Sequence, residues 1–257
     1  MPQPRPFLAI STVLAMLPIT VFRPTPPTVT PPPPQVASPA ARTADARHTT
    51  PAGCPRPNGP RVPATGTALR AATSEYPAAD HPHDLVFPAA TLRALPDIVG
   101  TADGVDARYA LARGAFAADG AVARVTVENV SSRLISVEDI RPVNIVTECV
   151  PHAAVLSYRG SGADPAPMMF DLADAEPRMW AIDDTGRATG PYFDEFPALL
   201  VEDGERQDLQ FAFRADAGAY TFDLLLTYDI GGKRERTLLR NGPAGFRVTA
   251  RPDAPQV

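Results

Sequence analysis

The sequence has little cysteine and lysine, and these shortages exclude several classes of protein and of chemistry. Its 257 residues include 2 cysteines, too few for a disulfide-rich scaffold or a zinc site built from cysteines alone. Lys233 is the one lysine, which removes most chemistry that needs an amine nucleophile. The net charge of −5 argues against nucleic acid as a partner, because phosphate binding needs clustered basic residues.

Proline and charge are unevenly distributed along the chain. Residues 1–65 hold 17 of the 31 prolines, with six arginines and one aspartate, and so carry a charge of +5. The remainder has 18 basic and 28 acidic residues, and so carries −10. This division predicts a basic, proline-rich N-terminal arm followed by an acidic globular part.

An uncharged apolar segment runs from Phe7 to Phe22 near the start of the chain. As a helix it would span about 24 Å, which is short for a bilayer crossing but normal for a signal-peptide core. No small-residue cleavage site follows closely, since the core continues into Arg23 and several prolines. Residues 1–23 are therefore predicted to be an uncleaved signal anchor in the membrane, with a cleavable signal peptide or a buried apolar helix of a cytoplasmic protein as the alternatives.

The segment that follows contains too little apolar surface to form a core. Residues 24–65 include four consecutive prolines and are predicted to be a disordered linker with extended, polyproline-type stretches. Residues 66–104 are interpreted as transitional, residues 105–250 as the folded domain, and residues 251–257 as a C-terminal tail.

A period-two alternation of apolar and polar residues begins near Val105 and is typical of half-buried strands. It is clearest from Tyr220 to Ile230, and Gly231-Gly232 then predicts a two-residue hairpin turn before a return strand, Lys233 to Leu239. Turns at short spacing and the absence of long helical patterns predict an all-β fold. We expect an antiparallel immunoglobulin-like sandwich of about seven to nine strands.

A short motif at the start of the strongest strand resembles the tyrosine corner of immunoglobulin-like sandwiches. It comprises Asp216, Gly218 and Tyr220 in the run Asp-Ala-Gly-Ala-Tyr. The resemblance implies a structural role for Tyr220, with its hydroxyl bound to backbone a few residues upstream. The position of the second antibody cysteine is Phe222 here, so an antibody-type disulfide core is not expected.

More broadly, residues 121–250 resemble uncharacterised membrane-anchored or secreted β-sandwich proteins of actinobacteria. The stretches that carry this resemblance are Phe170-Asp171-Leu172, Tyr192-Phe193, Gly204-Glu205, Tyr220-Thr221-Phe222 and Gly245-Phe246-Arg247-Val248-Thr249. The resemblance implies a fold and a location, and no activity comes with it.

Aromatic and acidic residues concentrate between residues 180 and 205. Loops with this composition can form a stacking platform for sugars or peptides. The alternative is that the aromatic residues pack in the core and that the acidic residues in the turns only keep the protein soluble. The predicted binding surface comprises Trp180, Asp183, Asp184, Tyr192, Phe193 and Asp194.

No motif in the chain predicts a catalytic or metal site. Gly160-Ser161-Gly162 lacks the full nucleophile-elbow pattern, and alternating His81 and His83 would point to opposite sides of an extended segment. We therefore expect no catalytic residues, no metal and no cofactor.

The two cysteines lie in different regions, Cys54 in the arm and Cys149 in a strand-like run. Outside the cytoplasm they can pair, which would close a long loop worth about 4–5 kcal/mol in the chain-entropy account. The alternative is a free thiol at Cys54 and a small buried apolar side chain at Cys149.

These patterns together favour a non-enzymatic module held at the cell membrane by a single N-terminal helix. The domain would lie outside the cytoplasm on a proline-rich spacer and would bind a protein or a cell-wall glycan. If the signal is cleaved, the domain would be secreted. The alternative is a hydrolytic or carbohydrate-active protein that uses the loops at residues 180–205.

Overall fold

The structure, a computed structural model, describes residues 61–81, 83–89, 107–118, 120–151, 154–158 and 164–251. The predicted signal anchor and Cys54 lie outside the described residues, as does the linker up to residue 60 and the C-terminal tail after Arg251. No helix in these ranges is long and apolar enough to cross a membrane.

The regular secondary structure of the described chain is mostly β-strand, with two short helices and one 3₁₀ turn, Gly242–Ala244. The helices are α1 (Ala107–Ala112) and α2 (Tyr192–Glu195). In chain order, the strands are β1 (Leu69–Glu75), β2 (His83–Phe87), β3 (Phe116–Ala118), β4 (Ala121–Asn129), β5 (Ile135–Glu148), β6 (Ala154–Tyr158), β7 (Met168–Asp171), β8 (Met179–Ile182), β9 (Ala188–Pro191), β10 (Leu199–Val201), β11 (Arg206–Arg214), β12 (Ala219–Ile230), β13 (Lys233–Leu239) and β14 (Phe246–Thr249).

The strands form two sheets that share one core. The six-stranded sheet has the order β1-β4-β11-β7-β8-β9, and the larger sheet has the order β10-β5-β12-β14-β3-β2-β6, with β13 also paired to β12. Two pairs are parallel, β11 with β7 and β14 with β3. The all-β prediction is confirmed.

The predicted strand count and the purely antiparallel arrangement are wrong. Both sheets are mixed, and the described residues form more strands than the seven to nine expected. Several of the additional strands, such as β3 and β10, have three residues, too few for a period-two pattern to emerge. The segment interpreted as transitional contributes β1 and β2, so the sheets begin before residue 105.

The core is centred on aromatic rings that reach inward from both sheets. Phe213 of β11 lies 5.1 Å from Phe222 of β12 and 5.3 Å from Phe246 of β14, measured between ring centroids. Phe170 and Tyr76 complete the cluster around Phe213, each 5.9 Å away. Full burial of one such side chain is worth about 1.5–3 kcal/mol, so this cluster is a major source of the attraction between the sheets.

The hairpin of β12 and β13 forms as its sequence predicts. Ile230 pairs with Lys233 across Gly231 and Gly232, whose φ angles are 63° and 84°. A turn with two positive φ angles matches the right-handed twist of the strands that it joins, and glycine adopts it without steric cost.

Residues 61–66, which we call the strap, lie on the larger sheet before β1 begins. The Val62 amide donates a hydrogen bond to Asn144 Oδ1 on β5 at 2.8 Å. The amides of Thr65 and Gly66 both donate to the carbonyl of Arg236 on β13, at 3.0 and 2.9 Å. Because β12 lies between β5 and β13, the strap passes from β5 across β12 to β13 and then enters the other sheet as β1.

The Asn144 side chain that holds the strap sits at a β-bulge. The pairing of β5 with β12 shifts register between Thr221 and Asp223, and Asn144 has a φ of 55°, which is unusual for a residue other than glycine. The Asn144 amide donates to Asp223 Oδ2 at 2.8 Å, and Arg240 Nε lies 3.2 Å from the same oxygen. This bulge therefore places a polar relay under the strap.

Candidate functional site

A cleft opens along the part of β5 that has no strand beside it. On the side away from β12, β5 pairs with β10 only through Ile135–Val137. Beyond Val137, this side of β5 faces the turn between β7 and β8 and the helix α2, across a cavity of about 540 Å³. That volume is within the range of small-molecule sites in proteins.

Pro142 lies in the middle of this edge of β5. A proline has no backbone N–H, and within sheets it is confined to edge strands, strand starts and bulges. Its presence at the cleft makes this stretch a poor template for the addition of another strand. Recognition in the cleft therefore falls mainly to side chains.

The walls of the cleft carry charges of both signs. β5 provides Asp139 and Arg141, the β7–β8 turn provides Glu176 and Arg178, and α2 provides Asp194. Arg141 Nε lies 3.6 Å from Asp139 Oδ2, so these two groups form an ion pair. Three carboxylates and two guanidinium groups give the cleft polar contacts for a ligand of mixed character.

Asp139 has the most perturbed environment among the carboxylates in the cleft. Burial of its carboxyl raises the pKa above the ordinary aspartate value, and the nearby charges of Arg141, Arg234 and Arg178 offset this effect only in part. A carboxyl with a raised pKa in a cleft is one feature of sites that use a general acid.

The cleft also has an apolar lining. Val143 and Ile145 contribute from β5, Met179 from β8, and Phe193 from α2. The Phe193 ring packs edge-to-face on Tyr192 with centroids 5.3 Å apart, and Tyr192 lies 5.0 Å from Phe196. Phe193 is half-buried, because one part of its side chain packs against the core and another part lines the cleft.

The structure brings only some of the predicted surface residues together. Phe193 and Asp194 line the cleft, and Tyr192 packs behind Phe193 against the core. Trp180 lies on β8 opposite Pro191, which also lines the cleft.

The two aspartates at the end of β8 lie elsewhere. Asp183 Oδ1 accepts hydrogen bonds from the amides of Thr185 and Arg187, each at 2.9 Å, and from the Thr185 hydroxyl at 2.7 Å. These bonds organise the β8–β9 turn and lower the pKa of Asp183. Asp184 is exposed in the same turn. Neither of them lines the cleft.

Tyr220 packs into the core at the start of β12, and the other two residues of its motif shape the turn before it. Asp216 accepts hydrogen bonds from Arg214 Nε at 2.8 Å and Nη2 at 3.1 Å. Gly218 has a φ of 78°, and its carbonyl accepts from the Ala250 amide at 2.9 Å. The hydrogen bond from the Tyr220 hydroxyl to upstream backbone, which the resemblance implies, stays a prediction.

A different tyrosine ties two distant segments together through its hydroxyl. Tyr76 donates to the carbonyl of Arg247 on β14 at 2.8 Å, across 171 positions of sequence. It is almost fully buried, and burial raises the pKa of its phenol well above the usual value. Nothing in the local pattern around Tyr76 distinguishes it, because its partner is distant in sequence.

The cysteine prediction involves one residue that the structure describes. Cys149, one residue after β5, is disulfide-bonded. The sequence offers one candidate partner, Cys54, which lies outside the described residues, so the identity of the pair stays a prediction.

The two closely spaced histidines of β2 and the turn before it are buried. The His83 ring nitrogen Nδ1 lies 3.0 Å from the carbonyl of His81, and burial lowers the pKa of His83. Within the described residues, no group of three or more potential ligands could hold a metal ion.

The residues of the cleft that sequence reasoning missed are Asp139, Arg141, Glu176 and Arg178. They lie on separate segments that only the fold brings together. One local signal was present, since Pro142 within a strand pattern is typical of an edge whose neighbours are accessible. Comparison of the chain with protein-family models, curated proteins and solved structures finds no match.

Proposed function

We propose that this protein is a non-enzymatic binding module displayed outside the cytoplasm, with the cleft beside β5 as its binding site. The observation that supports the proposal is the open edge of β5, where charged and apolar groups from three segments line one cavity. The N-terminal apolar segment would hold the module in the membrane, and the proline-rich linker would act as its spacer.

The immunoglobulin-like character belongs to the same proposal. Two sheets with a common aromatic core form a rigid scaffold, on which loops and edges can vary without loss of stability. Both the cleft and the β8–β9 turn lie at the periphery of that scaffold.

Binding at the cleft is tested by cosedimentation of the full-length chain with insoluble bacterial cell-envelope material. We expect the wild type to sediment and Arg141→Glu to lose most of its binding, because Arg141 lines the cleft. Arg236→Glu is the matched control. This substitution makes the same change of charge at an exposed residue of β13 that does not line the cleft. Equal sedimentation of both variants and the wild type would contradict the assignment of the cleft.

The membrane location has its own test. A C-terminally tagged full-length chain is expected in the membrane fraction of the producing cell, with the tag accessible to protease in intact spheroplasts. Tag recovered in the soluble cytoplasm would contradict the anchor and the external location together.

A hydrolytic function is the second candidate, and the grouping of carboxylates in the cleft is the observation that favours it. Asp139, Glu176 and Asp194 place three carboxylates in one cleft, and glycoside hydrolysis uses a pair of them. Turnover of a panel of nitrophenyl glycosides by the full-length chain, lost in Asp139→Asn, would support hydrolysis over simple binding. Equal background rates for the wild type and this variant would leave binding as the function.

A further inference from the structure

The outer face of the six-stranded sheet carries a row of apolar side chains. Across neighbouring strands, Ala212 of β11 pairs with Met169 of β7, Met169 pairs with Trp180 of β8, and Trp180 pairs with Pro191 of β9. Each of the four is half-buried, and Ala212, at one end of the row, packs against a small buried cluster around Val122. Adjacent strands are about 4.8 Å apart, so this row is about 14 Å long and follows the surface of the sheet.

The alternation along β8 places the Trp180 ring outside the core. Met179, its neighbour in the chain, is 4% exposed and belongs to the core cluster. Successive side chains of a strand point to opposite faces, so Trp180 lies on the solvent side with one part of its ring accessible. A tryptophan in this position has an indole face to offer to a ligand.

A polar depression adjoins the row on the same face. It has a volume of about 580 Å³, and its lining includes Gln210, which lies two residues before Ala212 on β11. The charged residues of its lining are Asp80, Asp164, Asp208 and Arg124.

The depression is acidic and has accessible acceptors. Arg124 is held by Asp80 and by Glu75, the latter at 2.9 Å. Asp208 Oδ1 accepts a hydrogen bond from the Thr126 hydroxyl at 2.7 Å, which leaves its second oxygen for a ligand. Three carboxylates against one guanidinium disfavour a polyanion such as nucleic acid or a phosphorylated polymer.

We propose that the apolar row and the depression together form a binding site for a neutral polysaccharide. The C–H faces of a sugar ring are apolar and pack on an aromatic face, while its hydroxyl groups need acceptors and donors such as carboxylates and amides. Trp180 and Met169 supply the first surface, and Asp208 and Gln210 supply the second. Pro191 borders both this site and the cleft beside β5, but Trp180, Met169, Asp208 and Gln210 do not line the cleft, so variants at these four residues test this site apart from the function proposed for the cleft.

Trp180 is the single tryptophan of the chain, so its fluorescence reports on this site alone. Full-length protein is titrated with laminarin, soluble starch and xyloglucan, and with heparin as an acidic polymer. We expect at least one of the three neutral polysaccharides to shift the tryptophan emission to shorter wavelength and to protect it from acrylamide quenching. Heparin is expected to do neither.

Variants then test the contribution of the ring to affinity. Trp180→Ala is expected to weaken binding about tenfold, measured by affinity electrophoresis, because the stacking surface is lost. Trp180→Phe retains an aromatic face and should lose less. Leu200→Ala is the control, since Leu200 is 53% exposed and lies on β10, a strand of the other sheet. Thermal melting of each variant checks that the fold is intact.

The two proposed sites give different patterns of failure. Arg141→Glu in the cleft should leave polysaccharide affinity unchanged, and Trp180→Ala should leave cleft-dependent sedimentation in place. Absence of a fluorescence response to all three neutral polysaccharides would overturn the assignment of ligand class, as would equal affinity of Trp180→Ala and wild type. A response to heparin as strong as to the neutral polymers would overturn it too.

Discussion

The two outer edges of the β5–β12–β13 layer have opposite surroundings. At β13, the strap donates two backbone hydrogen bonds to the Arg236 carbonyl, so the protein's own chain lies against this edge. At β5, the edge beyond Val137 stays open to a cleft lined by charged and apolar side chains. One edge is closed by backbone, and the other is left to side chains.

This difference teaches how a sandwich can expose an edge without inviting aggregation. An unpaired strand edge is a template for pairing with another chain. At β13 the strap hinders such pairing at Arg236, whose carbonyl it occupies, whereas at β5 Pro142 removes a donor from the edge. The short strand β10 is protected in a third way, because Gln207 Nε2 donates to the Leu200 carbonyl at 2.6 Å.

The largest expected effect tests whether the two edges share one core. Phe213→Ala removes the ring at the centre of the aromatic cluster, and we expect a loss of about 3–5 kcal/mol in the free energy of unfolding. Chemical denaturation should show one transition for the whole domain. Two separate transitions would mean that the open and closed edges belong to independently stable units.

The next effect concerns the closed edge alone. A Cβ at Gly66 would meet the Tyr228 hydroxyl and Glu235, so Gly66→Ala should cost about 1–3 kcal/mol through overpacking. Gly190→Ala on β9 is the control, since nothing lies within 4 Å of its Cβ position, and we expect a change within about 0.5 kcal/mol. Similar melting temperatures for the two variants would show that the strap is not tightly packed.

A third prediction isolates the polar relay under the strap. Asn144→Gly keeps the positive φ at low cost but removes the side chain that links Val62 and Asp223. We expect a loss of about 1–3 kcal/mol, with faster amide exchange at Val62 before other sites. Unchanged protection of the Val62 amide in this variant would contradict the role of Asn144 as its anchor.

The smallest expected effect is the pH dependence of stability that one carboxylate at each edge contributes. Burial raises the pKa of Asp139 at the open edge, while hydrogen bonding from Lys233 lowers the pKa of Glu235 at the closed edge. Above its unfolded pKa, Asp139 is still protonated in the folded state, so its contribution to stability falls as pH rises through that window. Glu235 contributes stability above its unfolded pKa and loses it as pH falls through its folded value.

NMR titration of the two side chains tests this contrast. The carboxyl resonance of Asp139 should titrate at higher pH than an ordinary aspartate, and that of Glu235 at lower pH than an ordinary glutamate. Asp139→Asn should flatten the pH dependence in the first window and Glu235→Gln in the second. Identical midpoints in folded and unfolded chains would remove the distinction between the edges.

The parts of the fold that follow from local pattern were predictable from sequence. The β12–β13 hairpin forms because alternation and a Gly-Gly turn act within twenty residues of each other. Leu209, Phe211 and Phe213 alternate with less buried residues in the same way, and β11 is buried on the face that they share.

The candidate site could be predicted only in part, since it depends on contacts that are distant in sequence. Asp194 was identified from local composition, but its companions Asp139 and Arg178 come from other segments. The tyrosine at the start of β12 resembled a known corner motif, yet the hydroxyl that joins distant backbone belongs to Tyr76. An experiment on residues 105–250 alone would also omit β1 and β2, whose contribution to the sheets has no strong pattern.

If the domain is tethered by its N-terminal arm, as proposed above, the strap has a mechanical consequence. Tension along the chain that precedes Arg61 would reach Asn144 and Arg236 before it reached β1. The hydrogen bonds at these two points lie on different strands, so the pull is divided between β5 and β13 instead of unzipping β1 from β4 one bond at a time. The strap would thus spread a pulling force over two strands of the larger sheet before the force reached the β1–β4 pair.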